Sequence, residues 1–183
     1  MESNELSVIG PVVVLGAVSG ARSMTAIATV ARARAHTAAA NDAVFPSQSL
    51  GPRVVRKVGR VVDSKLATAA TGFALLEMMA DKAPNIPNRV DPGPMFGRVA
   101  AGAVVGGAIA QMTGSDRRLL AACGAVAAFA GAHLSFRFRR ALGESIPPFF
   151  AGLVEDAAVI GVARLGGRLL ESRTRVTAAQ DQS

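Results

Sequence analysis

The chain has 183 residues, half of them hydrophobic, with a mean hydropathy of +0.35 and a formal net charge of +7. Its Lys and Arg residues lie mainly between apolar runs, as in loops that flank membrane helices, which argues against nucleic acid as the partner. The one cysteine, Cys123, cannot form a disulfide within the chain. No phosphate-binding loop, hydrolase serine motif or paired-cysteine motif occurs, so the sequence predicts neither an enzyme nor a bound cofactor or metal.

The first apolar run covers residues 8–30 and is interrupted at 19–23, around Arg22. The segment before it has no positive charge and contains Glu2 and Glu5, so we expect a retained first transmembrane helix rather than a signal peptide. Gly16 and Gly20 have the GxxxG spacing of close helix contacts, as do Gly102 and Gly106 in a later run. These small-residue faces predict an oligomer or a membrane-protein partner.

A basic segment follows over residues 31–65. Residues 32–52 are polar and contain turn-forming residues, so we expect a loop there. Over residues 52–65, basic and Val residues alternate at helical spacing. This pattern fits an amphipathic helix at the membrane surface. A simple basic loop or a basic helix extension into the cytosol is the alternative, and the sequence leaves these open.

Four further apolar runs bring the predicted number of spans to five. The run 66–80 has 15 residues, or about 22 Å of helix, against a hydrocarbon core of about 30 Å. The run 99–112 is also short, so whether these two fully span stays open. The runs 119–136 and 147–165 are long enough. We therefore predict an all-α polytopic membrane bundle over 1–165, with a basic, polar cytoplasmic tail over 166–183.

The distribution of positive charge orients these five spans. Thirteen Lys and Arg residues lie in the segment 31–65, the turn 113–118 and residues 164–183, against six in the loops on the other side. The positive-inside rule then predicts an N-terminus outside and a C-terminus inside.

A set of polar residues interrupts the apolar runs, and an isolated charge there would cost several kcal/mol. Glu77 and Asp81 are four residues apart and share one helix face. We expect Arg22 to pair with Glu77 or with Glu155. The set fits a proton- or cation-linked path, an ion-pair network that only holds the helices in place, or interfacial side chains without a special role. The full set is Arg22, Glu77, Asp81, His133, Glu155 and Asp156.

A faint internal echo relates residues 19–24 to 130–135, and each segment precedes a Phe-Ala…Glu stretch that ends at Glu77 or at Glu155. If the two units begin at the first and fourth spans, they would form an inverted repeat, as in many small transporters.

Several motifs together resemble a known family. They are Gly20-Ala-Arg22, the Glu77-x-x-Ala-Asp81-Lys-x-Pro element, Gly131-Ala-His133 and Glu155-Asp156, in an order covering about residues 16–162. They resemble the bacterial integral-membrane proteins filed as domain of unknown function four-one-two-six, although that family tends to read Gly-Leu-Arg at the first motif. The resemblance implies a small polytopic membrane protein and supplies no activity.

Together these observations predict a small protein of the bacterial inner membrane. The first functional hypothesis is a transporter or channel-like protein with an acidic intramembrane site. The alternative is a non-catalytic accessory or scaffold subunit of a larger membrane complex. In either case the basic segment and tail suit the lipid bilayer and its anionic lipids.

Overall fold

The computed structural model describes the backbone of residues 2–44, 50–80 and 91–180, and the side chains of 7–39, 64–79 and 91–174. Within these ranges the chain is entirely helical, which confirms the predicted all-α class. Asp81 and most of the proline-rich loop after it lie outside the described residues. The helices are α1 (Glu2–Ala21), α2 (Ser23–Val44), α3 (Leu50–Ala80), α4 (Pro92–Thr113), α5 (Arg117–Gly143) and α6 (Pro148–Gln180).

The turn between α4 and α5 shows how local sequence ends one helix and begins the next. Gly114 caps α4 in the left-handed conformation, with φ of 66°, and its N–H donates to the carbonyl of Ala110. Asp116 caps α5, because its side chain accepts hydrogen bonds from the N–H groups of Arg118 and Leu119. The predicted tight turn at 113–118 is confirmed.

Consecutive helices run antiparallel, as the order of their contacts shows. Gly102 of α4 lies against Gly124 of α5, whereas Gly106, one turn later, lies against Leu120, one turn earlier. The same reversed order relates α2 to α3 and α5 to α6. Those contacts are Ser23 with Glu77 and Arg32 with Thr71, then Ser135 with Glu155 and Arg139 with Gly152.

The first apolar run is not one helix, which corrects the prediction of a single first span. It bends sharply at Arg22, the one non-helical residue between α1 and α2. Leu15 and Thr29 lie against Gly166 and Gly167, which are neighbours on α6. A straight helix would separate positions 15 and 29 by about 21 Å, so α1 and α2 must form a V with its apex at Arg22.

Glycine allows the helices to approach so closely that their backbones touch. A Cβ atom on Gly20 would lie 2.0 Å from the carbonyl oxygen of Ala128, and one on Gly106 would lie 2.0 Å from that of Leu120. The GxxxG faces, which we expected to serve an oligomer, are therefore buried between α1, α4 and α5. Small residues have this use where helices pack without a strong hydrophobic driving force.

The polar stretch predicted as a loop is helical in its described part, and the basic segment after it is helical, as its spacing predicted. The polar stretch after residue 31 continues α2 to Val44, and the basic residues from 52 to 65 form one helix, α3, with the apolar run 66–80. The segment 166–183, expected as a tail separate from the bundle, continues α6 through Gln180. Leu170 in this segment is fully buried and belongs to the same hydrophobic core as Val12 and Val30.

Several charged side chains lie in the interior, and several large apolar side chains lie at the surface. Arg22 and Glu155 are 0% and 1% exposed, whereas Met79 and Phe96 are 72% and 76% exposed. Along α3 the buried residues are mainly alanines, and the large apolar ones point outward. Two of the described helices, α4 and α5, are long and apolar enough to cross a membrane, and the segment Ser7–Ala21 is a shorter apolar helix.

The internal echo relates two segments with different connectivity. Residues 19–24 span the end of α1 and the start of α2, and Glu77 lies on α3. Residues 130–135 lie within α5, and Glu155 lies on the next helix, α6. The inverted repeat stays a prediction.

Candidate functional site: a buried charged cluster

The alternating directions of the six helices bring polar residues from all of them to one end of the bundle. α1 and α2 meet there at Arg22, α3 and α5 end there, and α4 and α6 begin there. We call these residues the charged cluster. Its members are Arg22, Ser23, Glu77, Arg98, Ser135, Arg139, Glu155 and Asp156.

At the apex of the V, Arg22 forms a buried ion pair with Asp156 of α6. The Nε atom of Arg22 donates to Oδ1 of Asp156 at 2.9 Å, and the Nη2 atom donates to the same oxygen. Asp156 belongs to the predicted polar set, whereas Glu77 or Glu155 was the expected partner of Arg22. Asp156 reaches Arg22 because α6 brings its third turn level with the break between α1 and α2.

Glu77, on α3, binds the beginning of α2. Its Oε1 accepts from the N–H of Ser23 at 3.1 Å, and its Oε2 accepts from the N–H of Met24 at 2.9 Å. These N–H groups have no intrahelical partner at a helix N-terminus, where the helix dipole also favours a negative charge. Glu77 was expected as a possible ion-pair partner of Arg22. In the structure its carboxylate instead stabilises the break by binding the backbone of α2.

Arg98, on α4, binds the opposite side of the same break. Its Nη1 atom donates to the carbonyl oxygens of Gly20 and Ala21, at 2.7 and 2.5 Å, where α1 ends. Its Nη2 atom lies 3.9 Å from Oε1 of Glu77. In a continuous helix the Gly20 carbonyl would accept from Met24, so Arg98 and Glu77 together replace bonds that the bend removes.

Sequence reasoning missed Arg98, which was counted only as a loop charge. Its position was nevertheless informative, since it lies within the first two turns of a helix that begins at Pro92 and is directly followed by an apolar run. Proline at the first helical position would have predicted that α4 begins before Arg98, which makes the guanidinium part of the bundle.

Glu155 lies beside the ion pair and is almost completely buried. The Ser135 hydroxyl donates to its Oε1 at 2.5 Å, and Nη1 of Arg139 lies 3.7 Å from its Oε2. The Arg139 side chain is 29% exposed. The guanidinium of Arg139 thus connects the buried carboxylate to the outside of the bundle.

Two residues of the predicted polar set are not brought into the charged cluster by the described structure. His133 lies on the exposed face of α5, where its ring contacts that of Phe129 edge to face at 4.6 Å. Asp81 lies outside the described residues, so its pairing with Glu77 on one helix face stays a prediction.

The charged cluster is balanced, with three arginines and three carboxylates. Among the residues that the structure describes, no group of three His, Cys, Asp or Glu side chains could hold a metal ion. Opposite charges at hydrogen-bond distance offset the cost of desolvation only when geometry is good.

The fold and the site define a class: an all-helical bundle with a buried charged cluster, large apolar side chains exposed on several helices, and a bend whose two ends are bound by charged side chains. No protein family, curated protein or solved structure matches the chain. The resemblance to the uncharacterised bacterial membrane family therefore stays a prediction.

Proposed function

We propose that this protein is an integral protein of the bacterial inner membrane in which all six helices take part in a polytopic bundle. The arrangement of its surface supports this location. Large apolar side chains are exposed on α3, α4, α5 and α6, while charged side chains are buried. In water, exposing large apolar side chains is unfavourable, and so is burying charged ones. In a bilayer the exposed apolar side chains contact lipid.

We also propose that both termini lie inside. The N-out expectation assumed that residues 8–30 cross the membrane once, but this run folds into the V of α1 and α2. With consecutive helices antiparallel, the N-terminus lies at the same end of the bundle as the basic segment 31–65, the α4–α5 turn and the end of α6. The excess of Lys and Arg at this end supports its placement in the cytoplasm.

For the activity, we propose a small transporter or channel-like protein that uses the charged cluster as an acidic intramembrane site. One observation carries the proposal: a helix broken inside the bundle has its two ends bound by Glu77 and Arg98, next to the buried Glu155 and Asp156. Broken helices with exposed backbone groups form the ion and substrate sites of many transporters. Buried carboxylates in such a position serve as proton or cation relays.

The test is flux in liposomes that contain the purified full-length protein and a pH-sensitive dye. Wild-type protein is expected to carry a pH-dependent proton or cation flux that Glu155→Gln abolishes while the protein stays folded. Glu144→Gln is the matched control, because Glu144 is exposed at the end of α5. Unchanged flux in a Glu155→Gln, Asp156→Asn double variant would contradict the proposal.

The second candidate is an accessory or scaffold subunit of a larger membrane complex. The observation that favours it is that Glu77, Glu155 and Asp156 each contact a cation, a backbone N–H group or a hydroxyl group. A network of this kind can serve only to hold helices in place. Under this hypothesis the wild-type protein carries no flux, and the carboxylate variants change only its stability. The protein would also copurify with a partner from native membranes.

A further inference from the structure

A cavity of about 320 Å³ lies between α1, α5 and α6, beside the charged cluster. This is within the range of small-ligand sites, which start at about 300 Å³. Its walls are almost wholly apolar and include Ala17, Leu134, Phe138, Ala158 and Val162. An apolar cavity of this size does not fit a hydrated ion, and it fits a hydrocarbon chain.

The cavity opens toward the outside of the bundle. Leu134, Phe138 and Val162 form part of its lining and are 69%, 42% and 44% exposed. In a bilayer these exposed side chains would face lipid, so a chain could enter from the side without crossing a polar region. Ser135 and Glu155 also belong to the lining, but the Glu155 carboxylate is bound by the Ser135 hydroxyl and approached by Arg139.

Positive charge lies where the head of such a molecule would be. Phe138 of the cavity lining is flanked in sequence by Arg137 and Arg139, and Arg140 follows. Arg137 and Arg140 are exposed, and the Arg139 side chain is partly so. Basic side chains that border an apolar groove between membrane helices bind the phosphate groups of anionic lipids.

We propose that this cavity binds one acyl chain of an anionic phospholipid, whose phosphate is held by Arg137 and Arg139. These two arginines lie one turn after the lining residues Leu134 and Ser135 on α5, and their positive charge disfavours a lipophilic cation. The inference depends on the membrane location proposed above and not on transport. An acyl chain in the cavity would contact α1, α5 and α6 at once and would cover the side of the bundle next to Glu155.

The test is native mass spectrometry of the full-length protein released from nanodiscs with equal amounts of phosphatidylglycerol and phosphatidylcholine. Wild-type protein is expected to retain one phosphatidylglycerol in preference to phosphatidylcholine. Ala158→Phe, which fills the cavity, should lower this retention at least about tenfold, and Ala158→Leu should lower it less. Ala157→Phe is the matched control, since Ala157 is also exposed on α6 but does not line the cavity.

A second pair of variants tests the headgroup contact. Arg137→Gln should lower the preference for phosphatidylglycerol. The control, Arg140→Gln, removes the same charge from an exposed position on the opposite face of α5 and should keep the preference.

Equal retention of the two lipids by wild-type protein, or unchanged retention in Ala158→Phe, would overturn the inference. A loss of dimer mass in Ala158→Phe without a loss of lipid would show that a second copy occupies the cavity. Because retention is measured without flux, a failure here leaves the transport proposal intact. Conversely, an absence of flux would not alter the retention result.

Discussion

Arg22 and Asp156 are 134 residues apart in the chain and form an ion pair in the interior of the bundle. The pair joins the bend between α1 and α2 to the third turn of α6. Because both side chains are buried, neither charge can be hydrated if the other is removed. The stability of the bundle should therefore depend on both members of the pair.

Arg22→Ala should lower the free energy of unfolding by about 3–5 kcal/mol, because it leaves Asp156 charged and without this partner in a low-dielectric interior. Adding Asp156→Asn should recover part of the loss, giving a non-additive double-mutant cycle when thermal unfolding is followed in detergent. Adding Glu77→Gln in place of Asp156→Asn is the control and should not rescue, since Glu77 binds the backbone of α2. Additive effects of Arg22→Ala and Asp156→Asn would contradict the pairing.

Glu77 should protect the first N–H groups of α2. In Glu77→Ala the amides of Ser23 and Met24 lose their acceptors, and their hydrogen exchange should accelerate by about tenfold or more. Glu144→Ala removes an exposed carboxylate elsewhere and should leave these two amides unchanged. Exchange rates that stay the same in Glu77→Ala would show that the bend does not depend on this contact.

Glycine substitutions should separate internal packing from helix propensity. Gly20→Ala should destabilise the bundle by about 1–3 kcal/mol or more, because the new Cβ would overlap the Ala128 carbonyl and force α1 and α5 apart. Gly161→Ala on α6 is the matched control, since nothing lies within 4 Å of its added Cβ. Melting temperatures of the two variants in the same detergent provide the measurement, and equal values would argue against close α1–α5 contact.

Cysteine labelling in a Cys123→Ala background should locate the two ends of the bundle. Cysteines at Ser3 and Ser47 are expected to be shielded from an impermeant thiol reagent in intact cells, because we place both positions inside. Cysteines at Asn88 and Ser145 should react. Labelling at Ser3 together with shielding at Ser47 would instead support a first run that crosses once, with the N-terminus outside.

The α4–α5 turn should contribute a small pH dependence to stability. Hydrogen bonds from the N–H groups of Leu119 and Arg118 lower the pKa of the exposed Asp116 carboxyl below its ordinary value. The stabilisation is therefore present above the unfolded-state pKa of about 3.9 and is lost as the pH falls through the lower folded-state pKa.

Two variants at this position separate the cap from its charge. Asp116→Ala should lower the melting temperature at neutral pH by about 2–4 °C through loss of the helix cap. Asp116→Asn keeps a capping oxygen and should remove most of the pH dependence, which thermal unfolding at several pH values measures. The same acid-dependent loss in Asp116→Asn as in wild type would assign that dependence to another group.

Much of the helical structure followed from the sequence, because apolar runs, turn residues and caps are local signals. The runs 99–112 and 119–136 lie within α4 and α5, and Gly114 and Asp116 mark the turn between them. The polar stretch after residue 31 was misjudged as a loop, since its alanines favour helix and its polar residues gave the opposite signal. The segment 166–183 was expected to be a tail outside the bundle. Leu170 in this segment is buried by tertiary contacts, and no local sequence pattern predicts such contacts.

The sequence by itself determined which residues are chemically unusual: Arg22, Glu77, Glu155 and Asp156 stand out because charges within apolar runs require partners. Only the tertiary structure decided which partner each one has, that Arg98 joins them and that His133 does not. The reason is geometric, since pairing depends on helix direction and rotation, and both change at the bend. One non-helical residue at Arg22 reverses the chain, and α6 then places Asp156 within hydrogen-bond distance of the Arg22 guanidinium.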